Sequence, residues 1–159
     1  MTVSLRDVVV ADAEAIARVY VESWNDGFAG LLPPRGLSSG EIERWTRDLS
    51  GPVRWRVAVD LHHVLGFAGV GRSREPVEPG LGELDTIAVA PSSWRRGVGS
   101  LLMTDALSSL RSAGYDAAVL WTLAGYPRGD AFYRHHGWRP DGAVRESGRQ
   151  VCYRRPLGS

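Results

Sequence analysis

The densest chemistry in this chain lies in six consecutive residues, Arg95-Arg96-Gly97-Val98-Gly99-Ser100, between two hydrophobic segments. They read as a turn that opens a helix. The first backbone N–H groups of a helix have no partner inside it and sit at the positive end of its dipole, so several of them can hold one anion. Gly97 and Gly99, lacking a Cβ, would let the backbone approach that anion closely. Arg95 and Arg96 add flanking charge, and Ser100 adds a hydroxyl donor. Two glycines before a helix also fit a tight turn packed on a neighbouring strand. A dinucleotide site would need Gly-x-Gly-x-x-Gly after the first strand, and a P-loop would need Gly-Lys-Ser/Thr; neither is present. Two carboxylates, Glu83 and Asp85, stand two residues apart in the strand that feeds this turn and therefore share one of its faces.

The remaining reactive side chains are less telling. His62-His63 and His135-His136 are pairs of neighbours without cysteine or carboxylate ligands at metal-binding spacing, so no metal is expected. His136 reads as a helix C-terminal residue favoured by the dipole. Cys152 has no catalytic context and reads as a packed strand residue.

The elements that must position these residues follow from periodicity and punctuation. Strands are expected over residues 3–10, 53–59, 64–71, 81–90, 117–123 and 150–154. The second and third would pair through a hairpin at residues 60–63. Asp12 is the expected N-cap of a helix through Trp24 with Ile16, Val19, Tyr20 and Ser23/Trp24 along one face. Ser38 or Ser39 would cap a short helix carrying Ile42, Trp45 and Leu49. Residues 97–113 form a helix that stops at Gly114, and Pro127 starts a helix that carries Phe132 and Tyr133 and stops at Gly137. Residues 72–80, with Pro76, Pro79 and Gly80, form a loop. Trp45, Trp55 and Trp138 are expected in the core. Antiparallel hairpins followed by a strand–helix–strand crossover give an α/β (α+β) sandwich of helices on one curved mixed sheet.

Bulk properties bound the function. A chain of 159 residues fits a single domain over 1–159. A net charge of +1 favours neither nucleic acid nor a membrane surface. No apolar run reaches the roughly 18–20 residues that span a bilayer. One cysteine excludes an internal disulfide and fits the cytoplasm. All nineteen basic residues are arginine, each a planar, permanently charged fork suited to phosphate.

Pro91-x-x-Trp94-Arg95-Arg96-Gly97-Val98-Gly99-Ser100-Leu101-Leu102 resembles the pyrophosphate loop of the GNAT acetyltransferase superfamily, whose pattern is Gln/Arg-x-x-Gly-x-Gly/Ala. Ala131-Phe132-Tyr133-x-x-x-Gly137-Trp138 resembles that superfamily's last helix and following strand. Ser23-Trp24 through Phe28-x-Gly30-Leu31-Leu32-Pro33 resembles a Trp…Tyr-x-Gly-Leu-Leu-Pro segment of its bacterial members. The resemblance covers nearly the whole chain. It departs from the pattern at Trp94, in the usual Gln/Arg position, at Arg95, where glycine is frequent, and at Tyr126, where an asparagine often contacts the pantetheine arm.

The resemblance implies a GNAT-like three-layer arrangement, a mixed curved sheet of about six or seven strands flanked by about four helices. It implies an N-acetyltransferase with acetyl-CoA as co-substrate, held by Trp94, Arg95, Arg96, Gly97, Val98, Gly99 and Ser100, with Tyr126 and Phe132 also on the cofactor side. Backbone groups of Ile87, Ala88 and Val89 would lie along the pantetheine arm, and an N–H at Val89 or a neighbour would polarise the thioester carbonyl, an effect worth ~3–4 kcal/mol per donor. Glu83, directly or through water, would be the general base for a primary amine, with Asp85 as the other candidate, and Tyr133 the general acid to the departing thiolate. Trp24 and Phe28 would wall the acceptor pocket, with Glu22, Asp26, Glu83 and Asp85 making it acidic and suited to a cationic amine. Trp24 would otherwise merely cover the apolar face of the first helix. The acceptor is expected to be a small-molecule amine, and a homodimer is expected by analogy. Two other classes compete: a non-catalytic acyl-CoA sensor, which needs the loop but neither Tyr133 nor Glu83, and a nucleotide- or phosphate-binding protein.

Overall fold

A computed structural model describes residues 2–158; Met1 and Ser159, the two ends of the expected domain, lie outside the described residues. In chain order the elements are β1 (Ser4–Asp7), α1 (Ala13–Gly27), α2 (Ser39–Leu49), β2 (Arg54–Asp60), β3 (His63–Arg72), β4 (Leu81–Val89), α3 (Val98–Ser112), β5 (Ala117–Leu123), α4 (Pro127–His135), β6 (Arg139–Arg145) and β7 (Gln150–Pro156). Short 3-10 turns at Val10–Asp12 and Pro91–Ser93 lead towards α1 and α3. The strands hydrogen-bond in the order β1-β2-β3-β4-β5-β7-β6. Pairs β1–β2, β5–β7 and β6–β7 are antiparallel, whereas β4–β5 is parallel, so the sheet is mixed as expected.

Local chemistry explains most boundaries. Ser38, in extended conformation, accepts the Glu41 N–H at 3.2 Å and caps α2. Pro127 opens α4, where its missing N–H costs nothing. Gly114 follows α3 with φ +89, and Tyr115 N–H returns to the Leu110 carbonyl at 3.2 Å. The Asp12 expectation needs correction. Asp12 flanks α1, yet its side chain makes no cap to that helix. Its carboxylate accepts the Val9 N–H at 2.8 Å and both ends of the Arg6 fork at 2.8 and 2.9 Å. A bidentate arginine outcompetes a single backbone donor, and the chain leaves β1 at Asp7 to make that turn. Strand β6 escapes hydropathy reading because its residues are nearly all exposed.

Backbone packing groups the residues into two compact units, residues 2–69 with Thr86–Thr104, and Val70–Asp85 with residues 105–158. In the first, Ile16 and Ala17 of α1 pack with Trp45, Trp55, Val57 and Phe67. Trp45 is 1% exposed, and its ring lies 5.2–5.3 Å from Tyr20, Trp55 and Phe67, edge-on to each. Truncating a tryptophan so enclosed typically costs about 3–5 kcal/mol. In the second unit Leu81, Val119 and Cys152 form the apolar centre. Gly82 is required there by space: a Cβ would meet Leu110 at 2.7 Å and Tyr115 at 2.9 Å. The start of β4 is thereby pressed against α3 and fixes the backbone beside Glu83. Among the described residues no helix is long and apolar enough to cross a membrane.

Candidate active site

The turn before α3 belongs to the first unit. Trp94 is extended, Arg95 takes φ +64, Gly97 takes φ +82, and α3 begins at Val98. The position where the resemblance calls for glycine is thus left-handed, and Arg95 accepts a cost of about 1–2 kcal/mol to occupy it. The demand on Gly97 is torsional: a Cβ there would meet nothing within 4 Å. Within the protein itself, then, the demand on Gly97 comes from its left-handed backbone and not from a packed neighbour. Arg95, Arg96 and Gly97 are exposed, Val98 is buried, and no acidic residue stands in the first turn of α3. No acid in α3's own first turn offsets the positive end of its dipole. Trp94 lies against the strand: its indole N–H donates to the Val89 carbonyl at 2.7 Å and ties the end of β4 to the turn.

Strand β4 supplies the carboxylates in its first half. Its parallel register with β5 runs from Leu81↔Ala117 to Glu83↔Val119. Glu83 is only 6% exposed. Its Oε1 accepts the Arg74 N–H at 3.0 Å, and its Oε2 lies 3.7 Å from the Arg74 guanidinium. That guanidinium also hydrogen-bonds Asp85. Arg74, on the loop after β3, therefore brings the two acids of β4 together. Burial pushes the Glu83 carboxyl above its ordinary range, and the Arg74 contacts oppose the shift without cancelling it. Ile87, Ala88 and Val89, half-buried, lie further along the same strand.

Tyr133 rises from α4, also in the second unit. Its ring centroid is 5.6 Å from Phe132 and 5.5 Å from Tyr153, and its hydroxyl hydrogen-bonds Thr122 of β5. Part of the residue reaches solvent, but the hydroxyl sits among protein atoms. Burial pushes it up to about 12, against the smaller pull of Thr122. Tyr153 in turn donates to Asp130 of α4, which also pairs with Arg134 at 2.9 Å. Tyr126 precedes α4 and packs over Gly129, where a Cβ would meet its ring at 2.6 Å. Burial raises its hydroxyl as well. His136 ends this helix, but burial and the neighbouring His135 and Arg155 depress its pKa, so the protonated form that the dipole would favour is disfavoured.

Trp24 and Phe28, at the end of α1, meet edge-on with centroids 4.9 Å apart. The Trp24 indole donates to the Pro33 carbonyl at 3.3 Å, which folds the following segment back on the helix. Of the acids expected beside Trp24, Glu22 and Asp26 are exposed, and the charged group that lies over the ring is the guanidinium of Arg35, 4.0 Å from its centroid. One side chain does this. Asn25 clamps the Arg35 backbone at both N and O, which carries the arginine over the ring. Among the described residues no group of three or more His, Cys, Asp or Glu side chains could hold a metal ion.

The sequence model of the acetyltransferase (GNAT) family matches residues 14–138. This chain belongs to that family. An uncharacterized N-acetyltransferase of Bacillus subtilis, YuaI, is 30% identical over 131 residues, which span 79% of this chain and 74% of that protein. A GNAT superfamily phosphinothricin acetyltransferase of Sinorhizobium meliloti, solved with AcCoA, is 26% identical with a TM-score of 0.77, covering 99% of this chain and 90% of that one. The PaiA N-acetyltransferase of Thermoplasma acidophilum, solved with coenzyme A, shares the fold at 18% identity, TM-score 0.77, over 98% and 99% of the two chains. The chain is thus an acetyltransferase of the GNAT fold, and the expected mixed sheet with its four α-helices is the GNAT arrangement.

Four residues beside this GNAT enzyme's candidate groups escaped sequence reading. Arg74 lies in an irregular loop, nine residues before the carboxylate it touches, with no periodicity to link them. Arg35 lies in a Gly/Pro-rich segment, and its backbone is held there by Asn25, far off in local pattern on α1. Thr122 faces Tyr133 from an apolar strand, and Asp130 reaches Tyr153 from α4. For Thr122, the one polar residue in the run Ala117–Leu123, a signal did exist.

Proposed function

We propose that this chain, acting as one domain over 1–159 in the cytoplasm, transfers an acetyl group from acetyl-CoA to the primary amine of a small molecule by direct attack. The observation that carries this reading is Glu83: a strand carboxylate almost removed from water, anchored by Arg74, with its affinity for protons raised. A carboxylate whose proton affinity is raised in this way is a better base than an ordinary glutamate. Free alkylamines are protonated below a pH of about 10, so the acceptor needs such a base.

The residues before α3 fit a pyrophosphate. They offer a helix start whose first turn holds no acid, two exposed arginines, and a backbone already bent at Arg95 and Gly97. Trp94, Arg95, Arg96, Gly97, Val98, Gly99 and Ser100 are assigned to that end of the co-substrate, and Tyr126 and Phe132 to its pantetheine side. Backbone groups of Ile87, Ala88 and Val89 are assigned to the pantetheine arm and the thioester carbonyl. Trp94 supports this by fixing the Val89 peptide from its carbonyl side. The thioester supplies an activated acyl carbon and a good leaving group. Glu83 removes the proton that the amine must lose, directly or through water. Tyr133, whose hydroxyl stays protonated up to about 12, gives a proton to the departing sulfur. Asp85 shares Arg74 with Glu83 and is assigned to substrate binding along with Trp24 and Phe28.

The test is thiol release from acetyl-CoA over a panel of primary amines, run beside thermal unfolding with and without CoA. Wild type should release thiol only with an amine present. Tyr133→Phe should lower kcat about 100-fold or more with the CoA-induced rise in Tm retained. A rise in Tm with CoA but no thiol release with any amine would instead identify a non-catalytic acyl-CoA sensor.

A further inference from the structure

Arg35 is a half-buried arginine whose guanidinium has neither a hydrogen-bond acceptor nor a carboxylate within ion-pair distance among the described residues. The other half-buried arginines use theirs: Arg44 on Glu41, Arg56 on Asp7, Arg145 on Glu75, Arg154 on Glu78, and Arg155 on the His136 carbonyl. Arg47, Arg72, Arg95 and Arg96 also lack an acid, but they are exposed and water solvates them. Removing a cation partly from water without supplying an anion costs free energy, so an arrangement that builds such a cation calls for a partner.

The placement of Arg35 is built from several sides. Asn25 of α1 donates to its carbonyl at 2.9 Å and accepts from its N–H at 2.7 Å, so its backbone is clamped by one side chain. Its guanidinium lies 4.0 Å from the Trp24 centroid and 5.4 Å from that of Tyr20. Arg44 approaches Tyr20 at 5.4 Å as well, and Glu41 and Asp48 already neutralise it. None of the guanidinium N–H groups is bonded to an acceptor among the described residues, so they remain to bind a planar or tetrahedral anion in bidentate fashion. The ring that would otherwise attract a cationic amine is already occupied by a cation. The same segment leaves Leu31 and Leu37 exposed as well.

We infer that the acceptor is an amine that also bears an anionic group, a carboxylate or a phosphorus oxyacid, and that Arg35 receives that group. This rests on the acyl-transfer reading above and on Trp24 and Phe28 belonging to the acceptor side. It reverses the charge that the sequence alone implied for this region.

The intact protein is assayed by thiol release from acetyl-CoA with free amino acids, each paired with its C-terminal amide, with aminomethylphosphonate against methylamine, and with spermidine. Wild type should prefer the anion-bearing member of the best pair by at least about tenfold in kcat/KM, mostly through KM. Arg35→Ala and Arg35→Gln should reduce that preference to within about twofold, while Arg35→Lys, which keeps the charge but loses the fork, should retain part of it. The Asn25 clamp holds only the backbone of residue 35, so these variants keep the local chain path, and their unfolding midpoints in CoA check this. In parallel, the Arg35 Nε–H resonance is followed by nitrogen-15 NMR while L-glutamate is titrated into the CoA-saturated protein; a saturable shift is expected. Preference for the amide or for spermidine in wild type, a preference that survives Arg35→Ala, or an Arg35 resonance that glutamate does not move would each overturn the inference. Failure of the acyl-transfer reading looks different: no thiol is released with any amine, and neither CoA nor acetyl-CoA raises Tm.

Discussion

Glu83 is held where its charged form is penalised, and the penalty sets opposite signs on activity and stability. Its folded pKa is raised above the unfolded value. The stability linked to that shift is fully present below the unfolded pKa and is lost as pH rises through the folded one. At neutral pH the buried carboxylate is thus a liability to the fold. Glu83→Gln should leave Tm at pH 7 equal to or above wild type, with the gap closing near pH 4, while kcat falls about 100-fold or more. Calorimetry at the two pH values, with thiol-release assays on the same samples, checks both halves. With Glu83 as the proposed base, the raised pKa also places the acid limb of kcat/KM above the ordinary glutamate value of about 4.3. Arg74→Gln removes the guanidinium that favours the charged form, so this limb should move to still higher pH. Tyr133 should add no alkaline limb of its own below about pH 10, because its hydroxyl is pushed up to about 12.

The turn between β4 and α3 depends on two left-handed residues, and only one is a glycine. Gly97→Ala would meet no steric neighbour, so its cost is the torsional one, about 1–2 kcal/mol. Denaturant unfolding should read that loss, and KM for acetyl-CoA should rise with it. Arg95→Gly should shift stability the opposite way while removing a positive charge. Elements whose signals are local were legible in the sequence: β5 from its apolar run, α2 from Ser38, α4 from Pro127, and the turn from its glycines and arginines. Those decided by distant partners were not. Asp12 looked like a cap because nothing in its neighbourhood announces that Arg6 turns back onto it. Strand β6 is polar and exposed, and it exists because β7 offers it hydrogen bonds. In the candidate site the acids of β4 and the tyrosine of α4 were legible as residue types in a pattern. The arginines that set their environment, Arg74 beside Glu83 and Arg35 over Trp24, come from loops whose paths hydropathy does not encode.

For the molecule as a whole, a ligand that binds only the native state must raise its stability. Acetyl-CoA at about 100 times its Kd should add roughly 2.7 kcal/mol. For a chain of this size that corresponds to an upward shift in Tm of roughly 6–10 °C. Repeating the scan in high salt should reduce the shift, since Arg95 and Arg96 are exposed and screened. A different consequence follows from Cys152. It is 1% exposed, and burial raises its thiol to about 12, so it is neither reachable nor ionised at neutral pH. The sequence also contains no lysine. A protein bathed in a reactive thioester is ordinarily its own bystander target, at Nζ and at free thiolates. This one presents neither, and prolonged incubation with millimolar acetyl-CoA should leave its side chains at their original mass by peptide mass spectrometry.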